Sequence, residues 1–386
     1  MNRFQRLERR YSLWLTRPAK NAAGRMGLYR IVYSLFYLWF LTHLRFTELS
    51  LVPTSQWRPT ILFSGLSPLP EAVYPVMESL LVIALVLQLI GYKTRIANLM
   101  VLLMGFGLAV FRTGLLMEER TLVVTVFYVP LFMLFSNWGA TYSIDALLRQ
   151  KQGQPVVNPK NSAWHYIWPA RGLMVVLSTL FLSAAIEKFN SLDWLINPRF
   201  VGDFLLTKGV SSYLSNGFPV SPLGPQLGQL DAFIIPTQYV ILLFETAFVL
   251  VLFSRIAQAI ILRLAPIFHS FNTLLLGIPF ISVLSIYAAF PDWQTLYERF
   301  YPQPLKMRGL ANLPGPLLSL GAVGLAVLVG LLWNTTPIPR QIFGLFGIFS
   351  YHTLWFGLLP FIVLWILSPL WQRDNNHQPL PAQDRL

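Results

Sequence analysis

The stretch Ser178-Thr-Leu-Phe-Leu-Ser-Ala-Ala-Ile-Glu-Lys-Phe-Asn-Ser-Leu-Asp-Trp194 is an apolar run that ends in a Glu-Lys pair. With the residues before it, it forms an apolar segment over residues 168–188, which is long enough to cross a membrane as a helix. A lysine near lipid depth costs free energy unless it has a partner, reaches an interface or does chemistry. Lys188 is therefore a candidate functional residue. The alternative is that its stem is buried and its ammonium group snorkels into the headgroup region.

The composition is that of a membrane protein. Of the 386 residues, 55% are hydrophobic and only 12% are charged, whereas soluble domains carry roughly 25% charged residues. The 29 Lys and Arg residues are scattered in short segments between apolar runs, so membrane topology explains the net charge of +13 better than nucleic-acid binding does. The absence of Cys excludes disulfides, thiol nucleophiles and iron-sulfur clusters, and with only five His residues we predict no metal site.

The pattern of apolar runs predicts an all-α fold, a polytopic transmembrane helix bundle with about eight to ten crossings. The predicted spans lie at about residues 26–43, 74–90, 96–111, 122–135, 168–188, 239–253, 313–333 and 342–371. The apolar stretch 256–290 contains Pro266 and Pro279, which predicts a broken or kinked helix or two short ones. Segment 189–238 is long and rich in Gly and Pro, which is typical of a lid or a binding loop.

Charge and apolarity divide the chain into four parts. Residues 1–25 are a basic segment that suits an amphipathic helix on the membrane surface, 26–295 a transmembrane domain, 296–371 additional transmembrane helices, and 372–386 a polar tail. The basic residues of the first segment and of the loops around residues 93 and 151 predict a cytoplasmic N-terminus. Lys188 then lies towards the outer leaflet. We expect an integral multi-pass protein of the plasma membrane of a bacterium.

A few polar residues interrupt the apolar spans, and such residues usually face the interior of a bundle. His269 and Asn272 are three residues apart and share one face of a helix. Glu245, in the preceding span, could face them as an ion-pair or hydrogen-bond partner. A polar clamp between helices is the alternative interpretation of these three residues. Lys188, if burial held it neutral, could accept a proton.

Short motifs follow one another in a definite order over residues 24–293. They are Gly27-Leu-Tyr-Arg-Ile31, Gly91-Tyr-Lys-Thr-Arg-Ile96, Tyr142-Ser-Ile-Asp-Ala-Leu-Leu148, Arg171-Gly172, Glu187-Lys188-Phe189 with Asp193-Trp194, Ile267-Phe-His-Ser-Phe-Asn272 and Ala289-Phe-Pro-Asp-Trp293. In this order they resemble the membrane domain of the vitamin K-dependent gamma-carboxylases, the horizontally transferred transmembrane (HTTM) family. The resemblance implies an HTTM-like domain over residues 26–295.

The resemblance also implies a chemistry. Lys188 would be the base that starts oxygenation of vitamin K hydroquinone, after which an alkoxide-like base removes a γ-proton from a substrate glutamate and CO₂ adds to the carbanion. The implied cofactor is a reduced quinone, either vitamin K hydroquinone or menaquinol. The implied site residues are Lys188 and His269 as catalytic groups, with Asn272, Glu245, Asp193 and Trp194 as binding groups.

Two hypotheses follow. The first is a membrane enzyme that acts on a quinol or another lipid-soluble small molecule, with membrane lipids as its surroundings and no nucleic-acid partner. The second is a non-catalytic membrane scaffold or transport component that kept the fold. Where the carboxylases carry an Asn-His pair, this chain has Asn137-Trp138, and their large soluble domain has no counterpart after residue 295. These two departures favour the second hypothesis, whereas Lys188, His269 and Asn272 favour the first.

Overall fold

A computed structural model describes residues 3–59, 63–116, 122–216, 223–276, 280–301, 310 and 312–344, and within these ranges the chain forms helices and no strands. The helices α1 to α8 are Arg3–Thr16, Ala22–Leu44, Val73–Ile90, Thr94–Leu116, Val129–Leu134, Ile144–Lys151, Trp164–Asn190 and Asp193–Ile196. The helices α9 to α16 are Phe200–Asn216, Gly224–Leu227, Asp231–Ala247, Arg255–Leu276, Leu284–Tyr287, Trp293–Phe300, Gly315–Thr335 and Ile338–Gly344. The predicted all-α class is confirmed.

Five helical segments of the described chain are long and apolar enough to cross a membrane, which makes the protein an integral, multi-pass membrane protein. They are Val73–Ile90, Thr94–Leu115, Trp164–Asn190, Asp231–Leu252 and Gly315–Thr335. Each contains or overlaps a span predicted from the sequence. The predicted span 122–135 corresponds to a shorter apolar helix, Val124–Leu134. The predicted span 342–371, apart from its first three residues, and the polar tail 372–386 lie outside the described residues.

The stretch 256–290 is interrupted, as predicted, but not at its first proline. Helix α12 continues through Pro266 and ends at Leu276, and a short 3₁₀ segment, Ile281–Val283, leads into α13. Pro266 has no N–H to donate to the carbonyl of Leu262, four residues earlier, and the helix nevertheless continues through it.

The chain forms two compact units. The first contains the described residues up to 177 and those from 281 to 344, and the second contains the described residues from 178 to 280. The helix α7 belongs to the first unit up to Leu177 and to the second from Ser178 onwards. The domain boundaries predicted from the sequence stay predictions.

The core of the first unit is built around α2, whose buried tyrosines recur every four residues. Tyr29 Oη donates to the Ser285 carbonyl (2.8 Å) and Tyr33 Oη to the Thr125 carbonyl (2.8 Å). The fully buried Arg30, on the same helix, donates to the carbonyl oxygens of residues 138, 141 and 142. Buried polar groups are stable only when they are hydrogen-bonded. These bonds connect α2 to three distant segments of the chain, at residues 125, 138–142 and 285.

The motif that contains Asp145 meets the motif that contains Gly91 in the same unit. The carboxylate of Asp145 accepts hydrogen bonds from Lys93 N (2.8 Å), Thr94 N (2.9 Å) and Thr94 Oγ1 (2.7 Å), and Asp145 N donates to the Gly91 carbonyl (2.9 Å). Gly91 has a positive φ of 72°, and an added Cβ would lie 2.4 Å from Ser143 Cβ. Only glycine fits this turn without strain.

The second unit corrects one expectation. Segment 189–238, predicted to be a lid or loop, is mostly helical over its described residues, with α8, α9, α10 and the start of α11. Its glycines serve close packing, since an added Cβ on Gly202 would lie 2.8 Å from the Gly228 carbonyl oxygen. Val201, Leu205 and Ile234 form a small buried core between α9 and α11. Pro225 lies in the first turn of α10, where a missing N–H costs little.

Candidate functional site

The second unit contains a cavity of about 390 Å³, a size within the roughly 300–1,000 Å³ typical of ligand pockets. Its wall combines residues of α7, α8, α9, α11 and α12 with residues between these helices. The lining residues are Ala184, Glu187, Lys188, Ser191, Trp194, Phe200, Val201, Phe204, Ile241, Glu245, Phe268, Asn272 and Phe280. Most of them are apolar or aromatic, so the polar members stand out as the chemistry-bearing groups.

The dominant polar feature of the cavity wall is an ion pair between two membrane-spanning helices. Lys188 Nζ, near the end of α7, lies 2.9 Å from Oε1 and 2.8 Å from Oε2 of Glu245 on α11. The side chain of Lys188 is 19% exposed and that of Glu245 is 8% exposed. Both charges are thus largely removed from water, and each has the opposite charge as its partner.

Trp194 covers the lysine. Its ring lies 5.1 Å from Lys188 Nζ, which is the geometry of a cation–π contact. Trp194 belongs to the short helix α8, and the buried side chain of Gln238 fixes that segment. Gln238 Nε2 donates to the carbonyl oxygens of Trp194 (2.9 Å) and Asn197 (2.8 Å), and its Oε1 accepts from Val201 N (3.1 Å). Gln238 was missed by the sequence reasoning.

Asn272 and His269, predicted to act together, have different surroundings. Among the described residues, Asn272 lines the cavity and His269 does not. The buried His269 ring packs among aromatic rings, with centroid distances of 4.9 Å to Phe280, 5.4 Å to Phe268 and 5.6 Å to Phe181. Two of these rings line the cavity, so His269 lies behind the cavity wall.

The remaining predicted residues are placed as follows. Glu245 was predicted opposite His269 and Asn272, and the structure pairs it with Lys188 while it shares the cavity with Asn272. Asp193 is exposed in the first turn of α8 and is not among the described lining residues. The structure therefore brings together Lys188, Glu245, Trp194 and Asn272.

The cavity has two further polar lining residues, Glu187 and Ser191, whose spacing in the sequence indicates that they share a helix face with Lys188. Together with Ala184 and Lys188 they follow the spacing i, i+3, i+4 and i+7, which places all four on one face of a helix. Ser191 Oγ donates to the Lys188 carbonyl (3.0 Å), and Ser191 N to the Glu187 carbonyl (3.1 Å), so the helical geometry extends to residue 191.

The arrangement offers an apolar, aromatic chamber with a paired amine and carboxylate at one side and a carboxamide at another. It suits an amphiphilic molecule with a flat apolar body and a hydroxyl group.

Within the described part of the chain, no three His, Asp or Glu side chains lie close enough together to hold a metal ion. Neither a protein-family model, nor a curated protein, nor a solved structure matches the chain.

Proposed function

We propose that the second unit binds a lipid-soluble molecule with an ionisable hydroxyl group, and that the Lys188 and Glu245 pair exchanges a proton with it. The observation that carries this proposal is the ion pair in the wall of an aromatic cavity. Ionisable residues inside membrane helices are rare and usually functional. Here both charged groups belong to helices that are long and apolar enough to span a membrane.

A reduced quinone, the cofactor implied by the resemblance to the HTTM family, fits this set of residues. Its flat ring matches walls made by Phe200, Phe204 and Phe268, and its hydroxyl groups match the pair and Asn272. When bound, a quinol supplies reducing equivalents and ionisable hydroxyl protons. An enzyme of this kind would act as a carboxylase or an epoxidase.

Each residue then has a defined role. Glu245 accepts a hydroxyl proton on a carboxylate oxygen, and the ammonium group of Lys188 stabilises the negative charge left on the ligand oxygen. Because Nζ contacts both carboxylate oxygens, the two residues act as a unit. Trp194 shields this unit from water, and Asn272 orients the ligand through its carboxamide. His269 supports the wall through Phe268 and Phe280.

One observation favours the non-catalytic alternative, a membrane scaffold or transport component. Lys188 and Glu245 already compensate one another's charge, so the pair would also serve as a clamp between α7 and α11 without any ligand. In this case both residues matter for stability and neither matters for ligand binding. The two functions therefore predict different ligand binding when both charges are removed together: a ligand site loses binding, and a structural clamp does not.

The test uses the full-length protein, purified in detergent and supplied with menaquinol or vitamin K hydroquinone, oxygen, labelled bicarbonate and a glutamate peptide. The readouts are quinone epoxide, label in the peptide and quinone bound to the protein. We expect the wild type to give at least one of these signals and the double variant K188M/E245L, which leaves no unpaired charge, to lose it. The matched control is Lys160→Ala, since Lys160 is 66% exposed and lies outside the cavity. The absence of all three signals in the wild type would overturn the proposal.

We further propose that the N-terminus faces the cytoplasm of a bacterium, with the protein in its plasma membrane. Basic residues of the segment 1–25 and of the loops around residues 93 and 151 support this orientation, since cytoplasmic loops carry an excess of Lys and Arg. In this orientation the end of α7, with Lys188, lies towards the outer leaflet. The cavity would then receive its ligand from that leaflet.

A further inference from the structure

The first unit contains a second cavity of about 390 Å³, next to the turn between α3 and α4. Its polar lining comes from that turn, from the segment after α5 and from α6 and the residue that follows it. The side chains used below are those of Lys93, Arg95, Ser136, Asn137, Arg149 and Gln152. None of these residues belongs to the cavity of the second unit.

The second cavity is strongly cationic. Three of its lining residues, Lys93, Arg95 and Arg149, are basic, and the lining contains a single carboxylate, that of Asp145. Asp145 already accepts three hydrogen bonds from Lys93 N, Thr94 N and Thr94 Oγ1. Its carboxylate therefore already binds the turn. The excess positive charge of the cavity favours an anionic ligand.

Arg149 is held in place from two sides. Its Nε donates to the Asp145 carbonyl (3.2 Å) and its Nη2 to the Gly139 carbonyl (2.9 Å). A guanidinium group fixed in this way loses little further freedom when it binds an anion, and its planar donors match a phosphate. Lys93 and Arg95 are exposed and can adjust to the ligand. Asn137 and Gln152 add carboxamide donors, whereas the Ser136 hydroxyl already donates to the Met133 carbonyl (2.9 Å).

The position of the cavity identifies the source of the anion. The segments Val73–Ile90 and Thr94–Leu115 are long and apolar enough to cross a membrane, so the turn between them lies at a membrane surface. From this turn, α4 exposes Ile96, Leu99 and Leu103, with exposed fractions of 60%, 41% and 55%. Their spacing of three and four residues forms one apolar stripe along the helix. An anionic headgroup and an acyl chain on one molecule match the cavity and this stripe.

We propose that this basic cavity binds the phosphate group of an anionic phospholipid, with an acyl chain along the apolar stripe of α4. Basic pockets at the ends of membrane helices bind such headgroups because several cations neutralise one phosphate. Arg149 makes the fixed contact, and Lys93 and Arg95 close over the phosphate. The site is independent of the ion pair between Lys188 and Glu245.

The test is native mass spectrometry of the full chain in detergent, with three separate probes at equal ionic strength: phosphatidylglycerol, phosphatidylcholine and inorganic phosphate. We expect retention of phosphatidylglycerol and no comparable retention of the other two. The double variant K93Q/R95Q removes two exposed charges and should bind phosphatidylglycerol at least about tenfold more weakly. The matched control K151Q/K160Q removes two lysines that are not among the lining residues of the cavity and should bind as the wild type does.

Three results would overturn this proposal. Equal weakening in the control would mean that attraction to the overall charge suffices. Equal retention of phosphatidylcholine would mean that only the apolar surface binds lipid. Equal binding of inorganic phosphate, with full competition against phosphatidylglycerol, would identify a soluble anion as the ligand. Thermal unfolding of both double variants is measured as well. Unchanged unfolding temperatures would show that the loss of binding comes from the removed charges and not from unfolding.

Discussion

Lys188 Nζ lies within 3 Å of both carboxylate oxygens of Glu245, although the two residues are 57 positions apart in the chain. The pair connects two helices that are long and apolar enough to span a membrane, and it forms part of a cavity wall. Two charges with this little exposure stabilise the fold only as long as both are present. The function of the site depends on whether the pair also contacts a ligand.

A double-mutant cycle on Lys188 and Glu245 measures how much the free energy of unfolding depends on each charge having its partner. Lys188→Met or Glu245→Leu alone leaves one buried charge without its partner and should lower the free energy of unfolding by on the order of 3 kcal/mol. The double variant K188M/E245L leaves no unpaired charge and should recover most of this loss. Thermal unfolding in detergent measures all three variants.

The control for this cycle is the pair of Arg199 and Asp231 in the same unit. Its atoms lie 3.1 Å apart, but the two side chains are 43% and 55% exposed. Its removal by R199Q and D231N should change stability by less than about 1 kcal/mol. A K188M/E245L variant that is as unstable as the worse single variant would contradict the interpretation of Lys188 and Glu245 as a mutually compensating pair.

Gln238→Leu should loosen the segment that carries Trp194. The substitution leaves Val201 N and two carbonyl groups without their partner and should cost about 1–3 kcal/mol. Hydrogen exchange should become faster at the Val201 amide and in the neighbouring α8. Thr237→Val is the control, since Thr237 bonds only within its own helix, to the Phe233 carbonyl. Unchanged exchange at Val201 in Gln238→Leu would refute the role given to Gln238.

Gly91 and Gly153 form a matched pair for testing the turn at the second cavity. Both have a positive φ, 72° and 71°, but an added Cβ meets Ser143 and Arg30 at Gly91 and nothing within 4 Å at Gly153. Gly153→Ala should cost about 1–2 kcal/mol of conformational strain, and Gly91→Ala a further 1–3 kcal/mol or so from overpacking. Thermal unfolding compares them. Equal losses would contradict the close contact between Gly91 and Ser143.

The membrane orientation is testable because the chain contains no cysteine, so one introduced cysteine is a unique label site. In intact cells, a membrane-impermeant maleimide should label Ile196→Cys and leave Lys160→Cys unlabelled. Residue 196 is 73% exposed, and Lys160 is 66% exposed, so accessibility within the protein is similar. After lysis both should react. The reverse pattern in intact cells would invert the proposed topology.

The sequence predicted the all-α membrane fold because apolar length and charge spacing are local properties. It also singled out Lys188, Glu245 and Asn272, since polar groups in apolar helices are conspicuous, whereas Trp194 was expected only from the family resemblance of the motif that contains it. It did not predict that Glu245 pairs with Lys188, because the rotation of one helix against another depends on packing that no single segment encodes. Glycine and proline content suggested a loop in segment 189–238, where the glycines instead permit close helix packing.

Two residues of the short sequence motifs, Arg30 and Asp145, connect distant segments of the first unit. Arg30 and Asp145 each make several hydrogen bonds to distant backbone groups. Both residues stand in the short sequence motifs, but the sequence does not indicate what they contact, because each contact joins segments more than 50 positions apart. Asp145 also controls the charge balance of the second cavity. The hydrogen-bond partners of Asp145 are identified only by the three-dimensional structure.

Whether Lys188 and Glu245 bind a ligand is measured by the affinity of the purified full-length protein for radiolabelled menaquinol under argon, with K188M/E245L as the test variant and Lys160→Ala as the control. The wild type and the control should bind menaquinol saturably, with about one site per chain. K188M/E245L should fold and bind at least about tenfold more weakly, because charge-assisted hydrogen bonds to the ligand are lost. Equal affinity in the wild type and in a folded K188M/E245L would show that the pair is a structural clamp and would contradict the proposed site.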